Sequence, residues 1–312
     1  MTGRLAAVTG ATGFLGQHLV RALSDAGWRV RILARPTIAS RPPSSPFWAG
    51  LAPEVVRGDL ADSAALKTLS ENADVVVHAA GLIGGSGREL RAVNVEGTRR
   101  LAEAAGRARL IVISSLAARE PQLSAYAASK CAGEDVARSI AGDRVTIARP
   151  PAIYGPGDRE TLRLFQLASR SQVLPVFDPA ARVSVIHVMD AALQIVALAE
   201  EGPGGVHALS DARPEGYSWR ELMQTAAEAA GRRARLVRLP AFPLYALAAL
   251  DNSANYWRQR KAVITFGKVR ELTHSNWGLQ PHERWPAAPA PMFDLPAGFR
   301  QTIGWYRAAG WL

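Results

Sequence analysis

A regular alternation of short apolar runs and amphipathic stretches is the feature that most limits what this chain can fold into. Leu5–Thr9, Val30–Leu33, Val75–His78, Leu110–Ile113 and Val145–Ala148 are apolar at almost every position. A strand with one wet face alternates apolar and polar side chains, whereas a strand apolar throughout is covered on both faces. Between these runs lies helical spacing, over Phe14–Ala26, Ala61–Glu71, Glu89–Arg107 and Ala125–Ile140. Buried strands taken in turn with helices predict β/α/β units. Right-handed crossovers then assemble an open, doubly wound parallel sheet of the α/β class.

The rhythm weakens after Arg149-Pro150-Pro151. Helical patterns at Asp190–Glu200, Trp219–Ala230 and Lys268–Thr273 mix there with short strands and Pro-rich coil. A last helix is expected over Gly298–Ala309, with Trp305 packed back onto the body. The aromatic content changes at the same place. Of 22 Phe, Trp and Tyr residues, 5 precede residue 151 and 17 follow it, so two differently built halves are expected. Within the first half, the Pro36–Pro53 connection is long and holds Pro36, Pro42, Pro43, Pro46 and Pro53. A loop of that length in a compact domain is functional or mobile.

Thr9-Gly10-Ala11-Thr12-Gly13-Phe14-Leu15-Gly16 follows the first strand and opens the first helix. Gly10 permits a tight turn, Gly13 lets backbone approach a pyrophosphate, and Gly16 lets helix and strand pack closely. The N–H groups and dipole at the helix start hold the anion, so Thr12, Phe14 and Leu15 join the three glycines as cofactor-binding candidates. The second strand ends Leu33-Ala34-Arg35, without the acid that binds an adenine ribose in NAD enzymes. Arg35 suits a 2′-phosphate instead, which favours NADP over NAD. After the third strand, Asp59 either accepts a hydrogen bond from the adenine or caps the helix that starts near Asp62, with Leu60 beside it. His78, Ala79 and Ala80 end the fourth strand, where small residues let backbone pass the adenosine.

Tyr126 and Lys130 are four apart and share one helical face. A free phenol is a poor base at neutral pH, and a nearby ammonium is expected to lower its pKa. Tyr126 would exchange a proton with a substrate oxygen while Lys130 tunes it and binds the nicotinamide ribose. Ser114 and Ser115 end the fifth strand, and Ser115 is the preferred partner for the substrate oxygen. Asn94 sits inside a helical pattern where Asn is unfavourable, a hint of a polar duty near the ribose or a catalytic water.

Taken with Asn94-Val95-Glu96-Gly97-Thr98, the run from Arg149 to Asp158 and Ile186-His187-Val188-Met189-Asp190, these motifs resemble the extended short-chain dehydrogenase/reductase family, also called the NAD-dependent epimerase/dehydratase family. The resemblance implies a Rossmann-type domain over residues 1–154 and a smaller, mixed substrate domain over 155–312. Residues 183–202 would return to the first domain. It implies the roles given above for Ser115, Tyr126 and Lys130, and it runs Pro150, Ala152 and Ile153 along the nicotinamide. Homodimers are usual in such a family. The departures are informative too. No Tyr-Gly follows the Ser pair as in sugar-nucleotide epimerases, and no Asp-Glu pair stands beside the hydroxyl residue as in dehydratases. That shifts weight toward NAD(P)-dependent hydride transfer at a secondary alcohol or ketone. A nucleotide-sugar epimerase and a non-catalytic dinucleotide-binding protein are the alternatives.

The formal charge is +10, with 33 Arg against 4 Lys, but no basic tail marks a nucleic-acid arm. Two Arg-rich clusters lie in the second half: Arg232, Arg233, Arg235 and Arg238, then Arg258, Arg260, Lys261, Lys268 and Arg270. They read as solvated faces, as a diphosphate clamp, or as peripheral contact with an anionic membrane beside the apolar Leu239–Leu250 stretch. The abundance of aromatic residues suits a bulky, lipid-like or polycyclic small-molecule ketone. Six scattered His give no metal spacing, His187 reads as a structural hydrogen-bonding residue, and Cys131 reads as a packed helix residue. A single cysteine and the lack of a signal peptide pattern fit the cytoplasm.

Overall fold

Leu5–Thr9 forms strand β1, buried at every position. In the computed structural model, which describes residues 3–35, 45–249 and 265–312, β1 is an interior strand of a parallel sheet. Its partners in chain order are β2 (Arg29–Ala34), β3 (Glu54–Arg57), β4 (Val75–His78), β5 (Arg109–Ile113) and β6 (Val145–Arg149). The sheet order 3-2-1-4-5-6 reverses direction between β1 and β4, which is the Rossmann arrangement. The two faces of β1 serve different cores. Ala6 and Val8 pack with Leu19, Leu23, Ile32 and Ile113, while Ala7 packs with Leu66, Leu69, Val76 and Leu101. That two-sided burial is why the strands read as continuous apolar runs.

Helix starts follow local capping chemistry. Asp62 caps α2 (Ser63–Ser70) and Ser124 caps α5 (Ala125–Ala141). Ser86 and Glu89 form a reciprocal capping box at α3 (Gly87–Arg91). The pattern over Glu89–Arg107 predicts one helix. The chain instead runs α3, a π-helical turn at Ala92–Gly97, and α4 (Thr98–Ala104). The wide turn inserts an extra residue, which the 3.6-residue pattern does not register. α1 (Phe14–Asp25) covers the other face of the sheet.

The chain leaves the sheet at β7 (Ala152–Tyr154), forms α6 (Leu162–Arg170) and β8 (Val173–Val176), and returns through β9 (Val185–His187), which pairs with β7. α7 (Val188–Glu201) then packs beside α1. A seventh strand, β10 (Gly205–Ala208), adds to β6 at the sheet edge. Its exposed, Gly- and His-containing sequence carries no strand signal, since an edge strand is covered on one side only. α8 (Trp219–Ala229), β11 (Arg235–Arg238), α9 over 242–249, α10 (Phe266–Leu272) and α11 (Leu295–Ala308) complete the molecule. β11 pairs with β8.

This second region has its own core of rings. Tyr154, Phe165, Phe299 and Tyr306 meet edge-on, with centroids 4.9–5.7 Å apart. As expected of the last helix, Trp305 reaches back to the first region and stacks on Phe47 at 6.1 Å. Pro36, Pro42 and Pro43 of the long connection lie outside the described residues, as do Leu250, Arg258, Arg260 and Lys261. Among the described residues no helix is long and apolar enough to cross a membrane.

Candidate active site

The switch between β1 and β4 opens a crevice at the carboxyl ends of the strands, where doubly wound sheets take their ligands. Gly10 enters it with φ +71°, against the turn after β4: a Cβ there would lie 2.5 Å from the Ala80 nitrogen. A Cβ on Gly16 would lie 2.0 Å from the Gly10 carbonyl oxygen, and one on Gly13 would lie 3.1 Å from it. Gly13 caps α1 without a side chain, so the amides of the first turn are open to an anion. Gln17 Nε2 donates to the carbonyls of Thr12 and Gly13 and holds this turn in place. Thr12 and Gly13 are exposed. Phe14 and Leu15 are half-buried, Phe14 edge-on to His18. A cradle of backbone amides that side chains cannot enter fits a dinucleotide pyrophosphate.

Arg35 is exposed directly after β2, the neighbour of β1, and so lies at the same end of the sheet. Asp59 is exposed and accepts from the Ala61 amide at 2.7 Å, a local turn. Asp62, not Asp59, caps α2, because its carboxylate is the one in reach of Ala65 N at 3.0 Å. Leu60 seats on Gly97, where a Cβ would come within 2.7 Å of Leu60 Cδ1.

His78 does not face the crevice. It is 2% exposed, and both ring nitrogens are engaged: Nδ1 with Thr9 Oγ1 at 2.7 Å and Nε2 with Thr98 Oγ1 at 3.0 Å. Directions follow along the chain of bonds. Thr98 donates to the Asn94 carbonyl, so it accepts from His78 Nε2–H, and Nδ1 therefore accepts from Thr9. Thr9 Oγ1 accepts in turn from Ala80 N at 3.3 Å. A neutral ring is required, and burial, helped by the charge of Lys130, pulls the His78 pKa down to about 3. His78 is thus a tie between strand ends, and of its neighbours Ala79 and Ala80 present backbone to Gly10.

Asn94 is likewise a tie. Its Nδ2 donates to Leu82 O and to Ser129 Oγ, each at 2.9 Å, and its Oδ1 accepts from Leu82 N at 2.8 Å. It sits in the π-helical turn and locks the loop after β4 to α5, which carries Tyr126 and Lys130. The polar duty read from its unfavourable helical position is therefore to position that loop.

At the end of β5 the two serines part. Ser114 donates to buried Glu134, which also takes Arg149 in a bidentate pair at 2.8 and 2.6 Å. Ser115 lies near enough to the Tyr126 phenol to favour its ionised form, and its Oγ accepts from Ala117 N at 3.2 Å. Lys130 Nζ donates to Ile113 O at 2.6 Å and lies beside Gly81. Burial lowers its pKa to about 8 although the carboxylate of Glu134 raises it. The expectation that Lys130 lowers the phenol pKa is not met. Burial pushes Tyr126 up to about 12, opposed by nearby Ser115 and aided by the charge of Glu271. The ammonium is turned toward the Ile113 carbonyl, so desolvation dominates at the ring. Tyr126 is a neutral phenol at pH 7, the form that donates a proton.

Pro150 is buried and its carbonyl accepts from Leu116 N at 2.8 Å, which ties β6 to the Ser115 turn. Ala152 is exposed and Ile153 is half-buried on the core. His187 caps α7, with Nδ1 accepting from Met189 N at 3.3 Å, and burial lowers its pKa to about 4. Cys131 is half-buried on α5.

Two carboxylates escaped the sequence reading. Glu134 lies four residues after Lys130, a spacing that could have flagged it. Glu271 of α10 is bonded by Ser124 Oγ next to Tyr126, and a separation of 147 residues leaves no local signal.

The model of the NAD dependent epimerase/dehydratase family matches residues 6–208. The chain is 50% identical over 309 residues to a ceramide reductase of Caulobacter vibrioides, covering 98% of this chain and 95% of that protein. It is 27% identical to sterol demethylase protein B of Methylococcus capsulatus, covering 97% and 98%. Among solved structures it resembles gox2253, with a TM-score of 0.77 at 22% identity and full coverage of both chains.

Proposed function

This chain belongs to the NAD dependent epimerase/dehydratase family, as an NAD(P)-dependent oxidoreductase of the extended short-chain dehydrogenase/reductase type, and from that premise we propose that it reduces a ketone on a long-chain lipid. The nearness of Ser115 to a protonated Tyr126 at the carboxyl end of β5 carries the reading, because it sets a proton donor beside a second hydroxyl for one substrate oxygen. The lipid class is supported by two relatives named for a ceramide and a sterol.

The nicotinamide cofactor, when bound, supplies the hydride. Gly10, Gly13, Gly16 and the amides of Thr12, Phe14 and Leu15 hold its pyrophosphate. Pro150, Ala152 and Ile153 border its nicotinamide end, beside Ser115. Ser115 fixes the carbonyl oxygen, and Tyr126 donates its phenolic proton as negative charge builds there. Lys130, mostly charged at neutral pH, stabilises the phenolate left behind and offers donors to the ribose. Asn94 and Glu134 act one step back as positioning residues, by holding the loop after β4 and the β5 end.

The preferred cofactor is NADP, through Arg35. Arg35→Ala is expected to weaken NADPH binding about ten- to thirty-fold, as for a charge-assisted bond of ~1.5–2 kcal/mol, and to leave NADH unchanged. Titration of both cofactors checks this, and equal losses for the two would refute the assignment. The substrate class is tested with NADPH and two panels, long-chain keto-amides and nucleotide sugars. Net oxidation only with the first supports the reading. Retained cofactor and interconversion of the second would replace it with an epimerase.

A further inference from the structure

β8 and β11 form a small two-stranded sheet with an unusual outer face. Arg235 lies in register with Val173, and Val237 with Pro175. Alternation puts these four on one side, while Leu174, Val176 and Leu236 turn to the aromatic core. Val173 is 49% exposed and Val237 36%. The chain then runs into α9, where Phe242 is 77% exposed and Leu247 46%. From Ala229 to Leu250 the sequence holds four arginines and no Asp or Glu. Apolar side chains left in water and interleaved with unbalanced positive charge are what an interfacial segment presents to acidic headgroups.

Position adds to composition. Tyr245 of α9 stacks on Phe266 of α10 with centroids 6.4 Å apart. The next residue, Gly267, lies against Ser124, where a Cβ would be 2.7 Å from Ser124 Cβ. Ser124 caps the helix that carries Tyr126. A cleft of about 350 Å³ opens where β11 runs into α9, between Arg238–Ala241 and Phe177, Asp178, Trp219 and Thr273.

We propose that the β11–α9 face docks on an anionic phospholipid bilayer, with Phe242 and Leu247 entering the headgroup–acyl boundary and Arg233 and Arg235 meeting the headgroup phosphates. This goes beyond the reduction reaction, for it states where a lipid substrate is met, and it is tested with no ketone present. The full-length protein is sedimented with vesicles of phosphatidylcholine, or of phosphatidylcholine mixed equally with phosphatidylglycerol. Binding is expected on the mixed vesicles, to fall with added salt, and to be at least a hundred-fold weaker on the neutral ones. Arg233→Gln/Arg235→Gln is expected to weaken it about thirty-fold, from ~1 kcal/mol per arginine. Phe242→Ser/Leu247→Ser is expected to abolish salt-resistant binding. Both variants should retain wild-type circular dichroism and turnover of a short, water-soluble ketone. Absence of binding to mixed vesicles, or binding that neither variant changes, overturns the proposal. So does light scattering in which Phe242→Ser/Leu247→Ser splits a dimer while vesicles bind nothing, since the face would then join two copies.

Discussion

Around β1 the interior is built from Ala, Val, Leu and Ile, and backbone comes so close to backbone that Gly10 and Gly16 leave no room for a methyl group. Around α6, α8 and α11 the interior is built from rings, and the close approach there is of backbone to a ring: a Cβ on Gly298 of α11 would lie 2.2 Å from the Tyr154 hydroxyl oxygen. In the first region strand ends and turns meet backbone to backbone. In the second, rings meet one another and the backbone edge-on. The proposed chemistry lies in the first region, and the surface proposed to meet a lipid lies in the second.

The sharpest way to break this contrast is at Tyr126, the proposed proton donor. Tyr126→Phe is expected to lower turnover about a thousand-fold and to leave nicotinamide nucleotide affinity near wild type. Steady-state kinetics beside a binding titration checks both. A loss of that size at any ring of the second core would erase the distinction.

Packing comes next. Gly16→Ala places a methyl 2.0 Å from the Gly10 carbonyl oxygen, and a loss of ~3 kcal/mol or more in denaturant unfolding is expected. A loss under ~1 kcal/mol would mean that the cradle gives way easily.

Two buried titratable groups respond to pH in opposite directions. His78 has its pKa depressed to about 3, so the unfolded chain binds a proton that the folded one does not between there and about 6.5. Its contribution is complete above about 6.5 and is lost as pH falls. Asp211, 5% exposed and bonded by Tyr217 at 2.7 Å, has its pKa raised to about 6 by burial. Its contribution is complete below about 4 and is lost as pH rises through about 6. Each should change stability by ~1.4 kcal/mol per pH unit between about pH 4 and 6. His78→Gln should flatten the rise of stability with pH over that range, and Asp211→Asn should steepen it. Unfolding curves at several pH values decide, and identical slopes in all three proteins would contradict the assignment. The smallest effect mirrors the Gly16 test: Gly304→Ala, with open space around it, should stabilise α11 by ~0.5–1 kcal/mol.

The same contrast explains what could be read in the sequence. Gly10, Gly13 and Gly16, and Tyr126 with Lys130, stood out in the sequence as candidates because phosphate binding and proton transfer admit few residue types at few spacings. Strands β1, β2, β4, β5 and β6 were legible because burial on both faces leaves a continuous apolar run, whereas β3 reads Glu-Val-Val-Arg and is only half-buried. β10 was not legible, since an edge strand needs neither face apolar. His78 and Asn94 were read as cofactor neighbours by their place at a strand end and in a helix. Only the positions of Thr9, Thr98, Leu82 and Ser129 reveal that their polar atoms are spent within the protein. The phenol pKa was misjudged for a related reason. A Tyr/Lys spacing states which charges are near, but not how much water is removed from the ring.

The central claim is that Tyr126 and Ser115 serve net transfer of one hydride to a lipid ketone. It is tested most directly by incubating the protein with NADPH carrying deuterium at the transferable position and a long-chain keto-amide. The account predicts one deuterium on the new carbinol carbon for each NADPH oxidised. Deuterium absent from the product, or a cofactor that returns to its reduced form without net oxidation, would contradict it.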